Sequence, residues 1–452
     1  MRRIIDGVDN LDQLRVFRPG EPEYATACAT FNVLAPLRPA LVVDAASAAD
    51  VQQAVRYAAA NGLAVAVKGG GHLQPVPGDG AVLIILDRMA GVTVDPSSAV
   101  ARVTGSARWG QVLDAAAEHG LAPLNGSTPT VSAIGYVLGG GQSPTLGRQY
   151  GYASDHVTEF EVVTADGSLR VVNDTQEPEL FHALKGTRGN LGVVTRMDIG
   201  LLRHPTIYAG GIFFPGEQMT TLLPLWRDWA ATLPENAGTS VAVDRLPPVP
   251  DLPPHLRGAF LLHVRFAFTG PADQGEALLA PIRAAGTAVD DSVAEVPYRD
   301  SALMHADPLN PLPYVDKGLG VRELTDEALA AFLGAVGPGV DCPLVTVEIR
   351  ALGGALDRAP AAPDAVPSRG LPFQVLGIGA GGPDDLPRLR AALDRLVEAL
   401  RPWRYEHQMA NFMTAGGAGL RDVYGPELYG SVLAVKHKYD PDNLFRVNFN
   451  FV

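Results

Sequence analysis

Chemistry is first concentrated at Lys68-Gly69-Gly70-Gly71-His72, which follows directly on the apolar run Leu63–Val67. Three glycines without Cβ atoms let the backbone approach a ligand closely and turn successive N–H groups toward it, an anion-binding nest. Lys68 sets a positive charge beside that nest. A second stretch, Gly126–Gly141 (GSTPTVSAIGYVLGGG), ends in another triplet, Gly139-Gly140-Gly141. Two such loops on either side of a helix would grip a long polyanionic cofactor from two sides; the alternative is a pair of unrelated turns. The first loop is not a Walker loop, since no Gly-Lys-Ser/Thr follows it, and no helix signal opens there to hold a dinucleotide pyrophosphate. The ten histidines are scattered without zinc or iron spacing, so no metal site is expected, and no Gly-x-Ser-x-Gly elbow exists for hydrolysis.

The elements that must position these loops read as follows. Residues 39–205 alternate strand runs with amphipathic helices. Ser47 caps a helix whose Val51, Val55 and Ala58 share a face, ended by Asn61-Gly62. Strands are expected at Leu63–Val67, Ala81–Leu86, Ala99–Thr104 and Gly192–Leu202, and helices at Trp109–His119 and Pro178–Lys185. Glu159–Thr164 and Ser168–Val172 flank Asp166-Gly167, a two-residue hairpin signal. Beyond residue 205 the strands Tyr208–Phe214, Ser240–Leu246, Phe260–Phe268, Leu344–Ala351 and Phe373–Ile378 predict one antiparallel sheet. Helices cover a face of it, notably Leu386–Leu400 with its 3.6-period leucine stripe. The tail Glu427–Val452 reads as a helix followed by a polar-aromatic terminus. The fold class is therefore α+β. Two proline clusters, Leu246–Pro254 and Ala359–Pro367, read as surface loops.

Composition limits the partners. The chain has 452 residues, enough for two or three domains at ~150 residues each. With 47% apolar and 19% charged residues it is an ordinary globular protein, not a disordered, collagen-like or coiled-coil one. A formal charge of −13 and no basic run make it a poor ligand for nucleic acid or anionic lipid. No run of ~18 apolar residues could span a membrane. After Met1-Arg2-Arg3, the residues Asp6, Asp9, Asn10 and Asp12 stand where a signal peptide needs its apolar stretch, so the cytoplasm is the expected location. Cys28 and Cys342 can make neither a disulfide framework nor a cysteine-rich zinc site.

Six pieces, taken in order, carry a family resemblance. They are the RPALVV strand from Arg38, the GGGH loop ending at His72, and Gly126–Gly141. Then come Tyr150-Gly151-Tyr152-Ala153-Ser154-Asp155, the run Gly186–Thr195 (GTRGNLGVVT), and the C-terminal YDPDNLFRVNFN (Tyr439–Asn450). Pro39–Pro205 resembles the PCMH-type FAD-binding domain of the vanillyl-alcohol-oxidase superfamily, in its berberine-bridge-enzyme-like branch. The resemblance implies an FAD-binding domain over residues 1–205, completed by 405–452, and a substrate-binding domain over 206–404. It implies a covalent bond from His72 to the flavin 8α-methyl; neutral imidazole is a nucleophile available near neutral pH. Many members add a cysteine in G-x-C-P, where this chain has Thr128. Thioether formation needs a thiolate, so a single attachment is expected, as in the mono-covalent bacterial oxidases of this branch. Further cofactor contacts implied are Lys68, Gly69, Gly70, Gly71, Thr130, Val131, Gly135, Gly139, Gly140 and Gly141. Asp155, Gly189, Gly192, Val193, Val194, Asn448 and Asn450 complete the set. Departures from the pattern are Gln142-Ser143-Pro144-Thr145 after the second triplet and His156 after Asp155.

The segment Val347–Ala355 resembles the family strand whose side chains face the flavin. By the period of two, Thr346, Glu348 and Arg350 share one face. If that face meets the cofactor, Glu348 is the candidate base and Arg350 an anchor for a substrate oxygen; the alternative is an exposed salt-bridging face. Burial in an apolar pocket would raise the Glu348 pKa enough for acid–base work. The family's Tyr-x-Asn-Tyr element reads Met409-Ala410-Asn411-Phe412 here, without either hydroxyl, which disfavours sugar oxidation. His407, Tyr314, Tyr298 and His305 are replacements among which spacing does not choose. The expectation is an FAD oxidase acting on a C–O or C–N centre of a small secondary metabolite, with O2 as acceptor and a homodimer as the assembly. An oxidative cyclase or oxygenase, and a non-redox flavin-containing binding protein, are the alternatives.

Overall fold

The computed structural model describes residues 11–72, 76–250, 252–414 and 419–452. The charged start at Met1-Arg2-Arg3, with Asp6, Asp9 and Asn10, lies outside the described residues, as does Asp251 of the first proline cluster.

Three sheets organise the chain. The first has four strands in the order Arg15–Phe17, Leu41–Asp44, Val82–Ile85, Val65–Lys68, the last two pairings being parallel. Its inner strands are apolar on both faces: helix Ala48–Ala60 covers one side, and Ala27, Cys28 and Leu37 pack on the other. That helix starts at Ser47, whose Oγ accepts from Asp50 N at 3.2 Å, and Val51, Val55 and Ala58 are buried. The second sheet is antiparallel, ordered Gly91–Asp95, Val100–Thr104, Val193–Gly200, Val157–Val163, Leu169–Val172. Its last hairpin turns at Asp166-Gly167, with Gly167 at φ 73°.

The third sheet has eight strands, all antiparallel. Its order is Asp290–Asp291, Thr206–Pro215, Phe260–Phe268, Ala237–Arg245, Thr346–Ala351, Phe373–Ala380, Tyr314–Val321, with Ala294–Pro297 also pairing with Thr206–Pro215. Alternation gives the sheet two unlike faces. Val241, Val264, Val347, Ile349 and Val375 point to one side. There they pack with Leu222 and Trp226 of helix Met219–Ala230, Leu329 and Phe332 of Asp326–Val336, and Leu393 and Leu396 of Leu386–Ala399. Each such side chain taken from water contributes about 1.5–3 kcal/mol. The opposite face carries the functional wall described below.

Several elements differ from expectation, each for a physical reason. Strand Tyr314–Val321 is not foreseen because Gly318 and Gly320 weaken strand propensity. Here the glycines are required: a Cβ on Gly320 would lie 2.1 Å from His407 O and one on Gly318 2.9 Å from Phe412 O, so segment 407–412 runs directly over this strand. The C-terminal helix begins earlier than expected, at Leu420, and breaks at Gly425 (φ 68°) before Pro426. The cluster Ala359–Pro367 is not wholly a surface loop. Ala365 and Val366 are buried, Ala365 N donating to Lys185 O at 2.8 Å and Val366 packing on Gly140. Among the described residues no helix is long and apolar enough to cross a membrane.

Candidate active site

A cavity of about 440 Å³ lies between the glycine loops and the inner face of the eight-stranded sheet. Strand Val65–Lys68 delivers Gly69, Gly70, Gly71 and His72 to one wall. A Cβ on Gly70 would meet Ser132 N at 2.9 Å and one on Gly69 would meet Ser132 Oγ at 3.0 Å; the first loop therefore packs on the second, and Gly71 turns at φ 71°. Ser132 lines the cavity, and its buried Oγ has no hydrogen-bond partner among the described residues. Thr128, Val131 and Gly135 complete this wall. Farther along, Val65, Val67, Leu86, Val194, Phe445 and Val447 form an apolar stretch. Main-chain-lined loops, an unpartnered hydroxyl and an apolar stretch fit a dinucleotide-sized cofactor with an aromatic base.

His72 sits where the two loops meet. Its Nε2 lies 3.0 Å from Thr130 Oγ1, its ring stacks on Phe31 at 4.1 Å, and Tyr314 Oη donates to its carbonyl at 3.0 Å. Burial, with Arg108 nearby, pulls its pKa down to about 4, so the imidazole is neutral at physiological pH. Thr128 Oγ1 lies 3.2 Å from Thr130 Oγ1, two steps from the histidine.

Loop Gly186–Gly192 supplies Arg188, Gly189 and Gly192. It is clamped from behind by Lys436, whose buried Nζ donates to Asn190 O at 2.9 Å, Phe445 O at 3.2 Å and Asp440 Oδ2 at 2.7 Å. Asp440 in turn accepts from Leu444 N and Phe445 N. Asn448 donates from Nδ2 to Arg188 O. Arg188 stands at φ 57°, its guanidinium 4.7 Å from the Phe449 ring, and burial pulls its pKa down to about 10.

The facing wall is charged. Thr346, Glu348 and Arg350 all reach the cavity, together with Arg265 from the strand two places away. Glu348 Oε1 accepts from Arg265 Nη1 at 2.8 Å and from His305 Nε2 at 3.2 Å, and Oε2 accepts from Arg350 Nε at 2.9 Å. Burial alone would raise its pKa, but Arg350, Arg265 and His305 outweigh it and hold the carboxyl well below the usual range. The expectation of a raised pKa at Glu348 is thus corrected: its surroundings are cationic, not apolar. Asp316 behaves in the opposite way. It faces the cavity from strand Tyr314–Val321, and burial pushes its pKa up to about 6 against a weaker pull from Arg188.

Several expected contacts lie behind the walls instead. Lys68 is buried, its Nζ 3.3 Å from Ala29 O. Thr130 backs His72. The second triplet is no anion nest: Gly141 N donates to Asn411 Oδ1 at 3.0 Å, a Cβ on Gly139 would meet Asn411 Nδ2 at 2.6 Å, and Gly140 abuts Val366. Asp155 accepts from Tyr152 N at 2.8 Å and pairs with Arg369, away from the cavity. Val193 packs in the core beside Val43 and Val163, and Asn450 does not reach the cavity. Of the four replacement candidates, Tyr314 lines the cavity and His305 stands behind Glu348. Tyr298 is tied up with Pro123 O and Asn125, and His407 with Val423 O. Sequence reasoning missed Ser132, Tyr136, Arg188, Arg265, Asp307 and Asp316. Ser132 and Tyr136, inside the second glycine stretch, and Arg188, inside GTRGNLGVVT, stood in motifs; Arg265, Asp307 and Asp316 stood in none. No group of three metal-ligating side chains occurs among the described residues.

Fold and site define a flavin-dependent oxidoreductase. Residues 39–173 match the FAD binding domain family. The chain is 30% identical to (R)-6-hydroxynicotine oxidase of Paenarthrobacter nicotinovorans, across 91% of both proteins. The structure superimposes on 6-hydroxy-D-nicotine oxidase from Arthrobacter nicotinovorans with a TM-score of 0.82 at 26% identity, covering 97% of this chain and 98% of that one. It shares the fold of glucooligosaccharide oxidase from Acremonium strictum (TM-score 0.83, 21% identity, 97% and 98% covered), a protein with a 6-S-cysteinyl, 8α-N1-histidyl FAD. The chain belongs to the vanillyl-alcohol-oxidase superfamily, in its berberine-bridge-enzyme-like branch.

Proposed function

We propose that this enzyme carries FAD on His72 through one covalent bond and oxidises a C–O or C–N centre of a small aromatic secondary metabolite, with O2 as acceptor. The observation that supports it is the neutral imidazole of His72 at the cavity wall, with Thr128 where a second attachment would need a thiol. FAD, when bound, supplies the hydride acceptor and the route of electrons to O2. Gly69–Gly71, Ser132 and the Gly189–Gly192 segment would hold it. Asp316 accepts the proton released from a substrate O–H or N–H, since a carboxyl titrating near pH 6 is ionised yet still basic at neutral pH. Glu348 stays ionised and orients Arg265 and Arg350.

The relative named as a 6-hydroxynicotine oxidase supports oxidation of a C–N centre on an aromatic body. The test is acid precipitation of the purified protein followed by peptide mass mapping. Yellow fluorescence retained in the pellet, on the peptide containing His72 alone, is the expected result, with peroxide formed in step with substrate. Flavin released to the supernatant defeats the single tether, and labelled oxygen appearing in the product defeats the oxidase outcome.

A further inference from the structure

Arg265 and Arg350 straddle one residue. Ser240, on the strand between theirs, is paired in register with both, so all three side chains share the cavity-side face. Neighbouring strands run ~4.8 Å apart, which sets the two arginine Cα atoms roughly 10 Å from each other. Ser240 is buried, and its Oγ has no partner among the described residues.

Each guanidinium is used only in part. Arg265 donates from Nε to His263 Nδ1 at 3.2 Å and from Nη1 to Glu348; Arg350 donates from Nε to Glu348 and from Nη1 to Gln142 Oε1 at 3.2 Å. Both Nη2 groups are left without a protein partner among the described residues, and both residues line the cavity.

Arg265 and Arg350 both donate to Glu348, and burial keeps His305 and His263 neutral. Asp244, on the same face, accepts from Thr346 at 2.5 Å; burial pushes its pKa up, but His263 and Arg265 outweigh that and hold it ionised, so it offsets part of the Arg265 charge. Asp307, across the cavity, accepts from Ser127 Oγ at 2.6 Å and offsets part of the Arg350 charge. Apolar side chains stand beside the two arginines: Phe412 lies 4.9 Å from the Arg350 guanidinium, and Leu376 and Ile378 line the same wall.

The geometry points to an oxyanion subsite in which Arg265 and Arg350 hold an acidic oxygen, a carboxylate, phenolate or enolate, carried on the planar body of the substrate. This deepens the oxidase reading and rests on it for the word substrate. The two Nη2 groups give an anionic oxygen charge-assisted bonds stronger than those a neutral polyol can accept.

The test is calorimetric titration of the purified holoenzyme at neutral pH with benzoate, with 4-nitrophenolate and with neutral benzamide. At least one anion is expected to bind about 10- to 100-fold more tightly than benzamide. That advantage should collapse in Arg265→Met and Arg350→Met and survive in part in Arg350→Lys. Preference for benzoate assigns a carboxylate substrate and preference for nitrophenolate a phenolate or enolate one. Benzamide binding as tightly as both anions overturns the subsite, as does the absence of anion binding. So does an Arg350→Met protein that keeps the anion preference while its flavin spectrum shifts, which would give the arginine to the flavin instead. The wild-type comparison decides even if the variants do not fold. The absorption spectrum and acid precipitation report the flavin separately, so a failed tether and a failed subsite give different readings.

Discussion

The two walls of the cavity bind by different means. The cofactor wall is made of main chain: Gly69–Gly71 packed on Ser132, and the Gly186–Gly192 loop clamped by Lys436. The opposite wall is made of side chains, Arg265, Glu348, Arg350 and Asp316, drawn from three strands of one sheet. Backbone recognition needs contiguous residues without side chains in the way, so it is written locally. Side-chain recognition needs only residues on the right face, which arrive from anywhere in the chain. A shared cofactor and a private substrate follow naturally from that division.

Breaking the cofactor wall gives the largest effect. His72→Ala should remove all acid-stable flavin, read by fluorescence of the precipitate, while Arg265→Met keeps it. Adding Thr128→Cys to His72→Ala sharpens the contrast, since a thiol at that position should restore part of the acid-stable flavin. Breaking the substrate wall comes next. Asp316→Asn should lower kcat/KM by about 10²- to 10⁴-fold with covalent flavin unchanged. Because the ionised carboxylate is the working form, wild-type kcat/KM should rise with pH through about 6, and the Asn variant should lose that limb. A variant that retains the limb would remove Asp316 from the reaction.

Lys436→Met attacks the support shared by loop and tail. It leaves Asp440 buried without its cation and should cost about 3–5 kcal/mol of stability, measured by denaturant unfolding, with flavin content falling in parallel. Gly70→Ala should cost less, about 1–3 kcal/mol, since the methyl must displace Ser132 N by a few tenths of an ångström. Unchanged flavin content in that variant would show that the two loops need not touch.

The same division explains what was legible in the sequence. The GGGH loop, the Asp166-Gly167 hairpin, the Ser47 cap and the α+β order follow from neighbouring residues alone. So does the common face of Thr346, Glu348 and Arg350, which needs only the period of a strand. The protonation state of Glu348 followed only in part: Arg350 was already placed on its face, but Arg265 and His305 come from 83 and 43 residues away. Gln142 stood out as a departure from the family pattern; its partner Arg350, 208 residues on, could not be read from it. The second glycine triplet misled because close packing against Asn411 selects glycine as strongly as an anion does.

The backbone bond from Val65 N to Leu444 O, at 2.9 Å, ties the strand behind the first glycine loop to residues made much later. Phe445, Val447 and Asn448 then finish the enclosure. On a translating ribosome adding ~5–20 residues per second, at least about twenty seconds separate the two partners. The cavity wall is therefore completed only after synthesis of residue 448, and a nascent chain stalled earlier leaves that side of the cavity open.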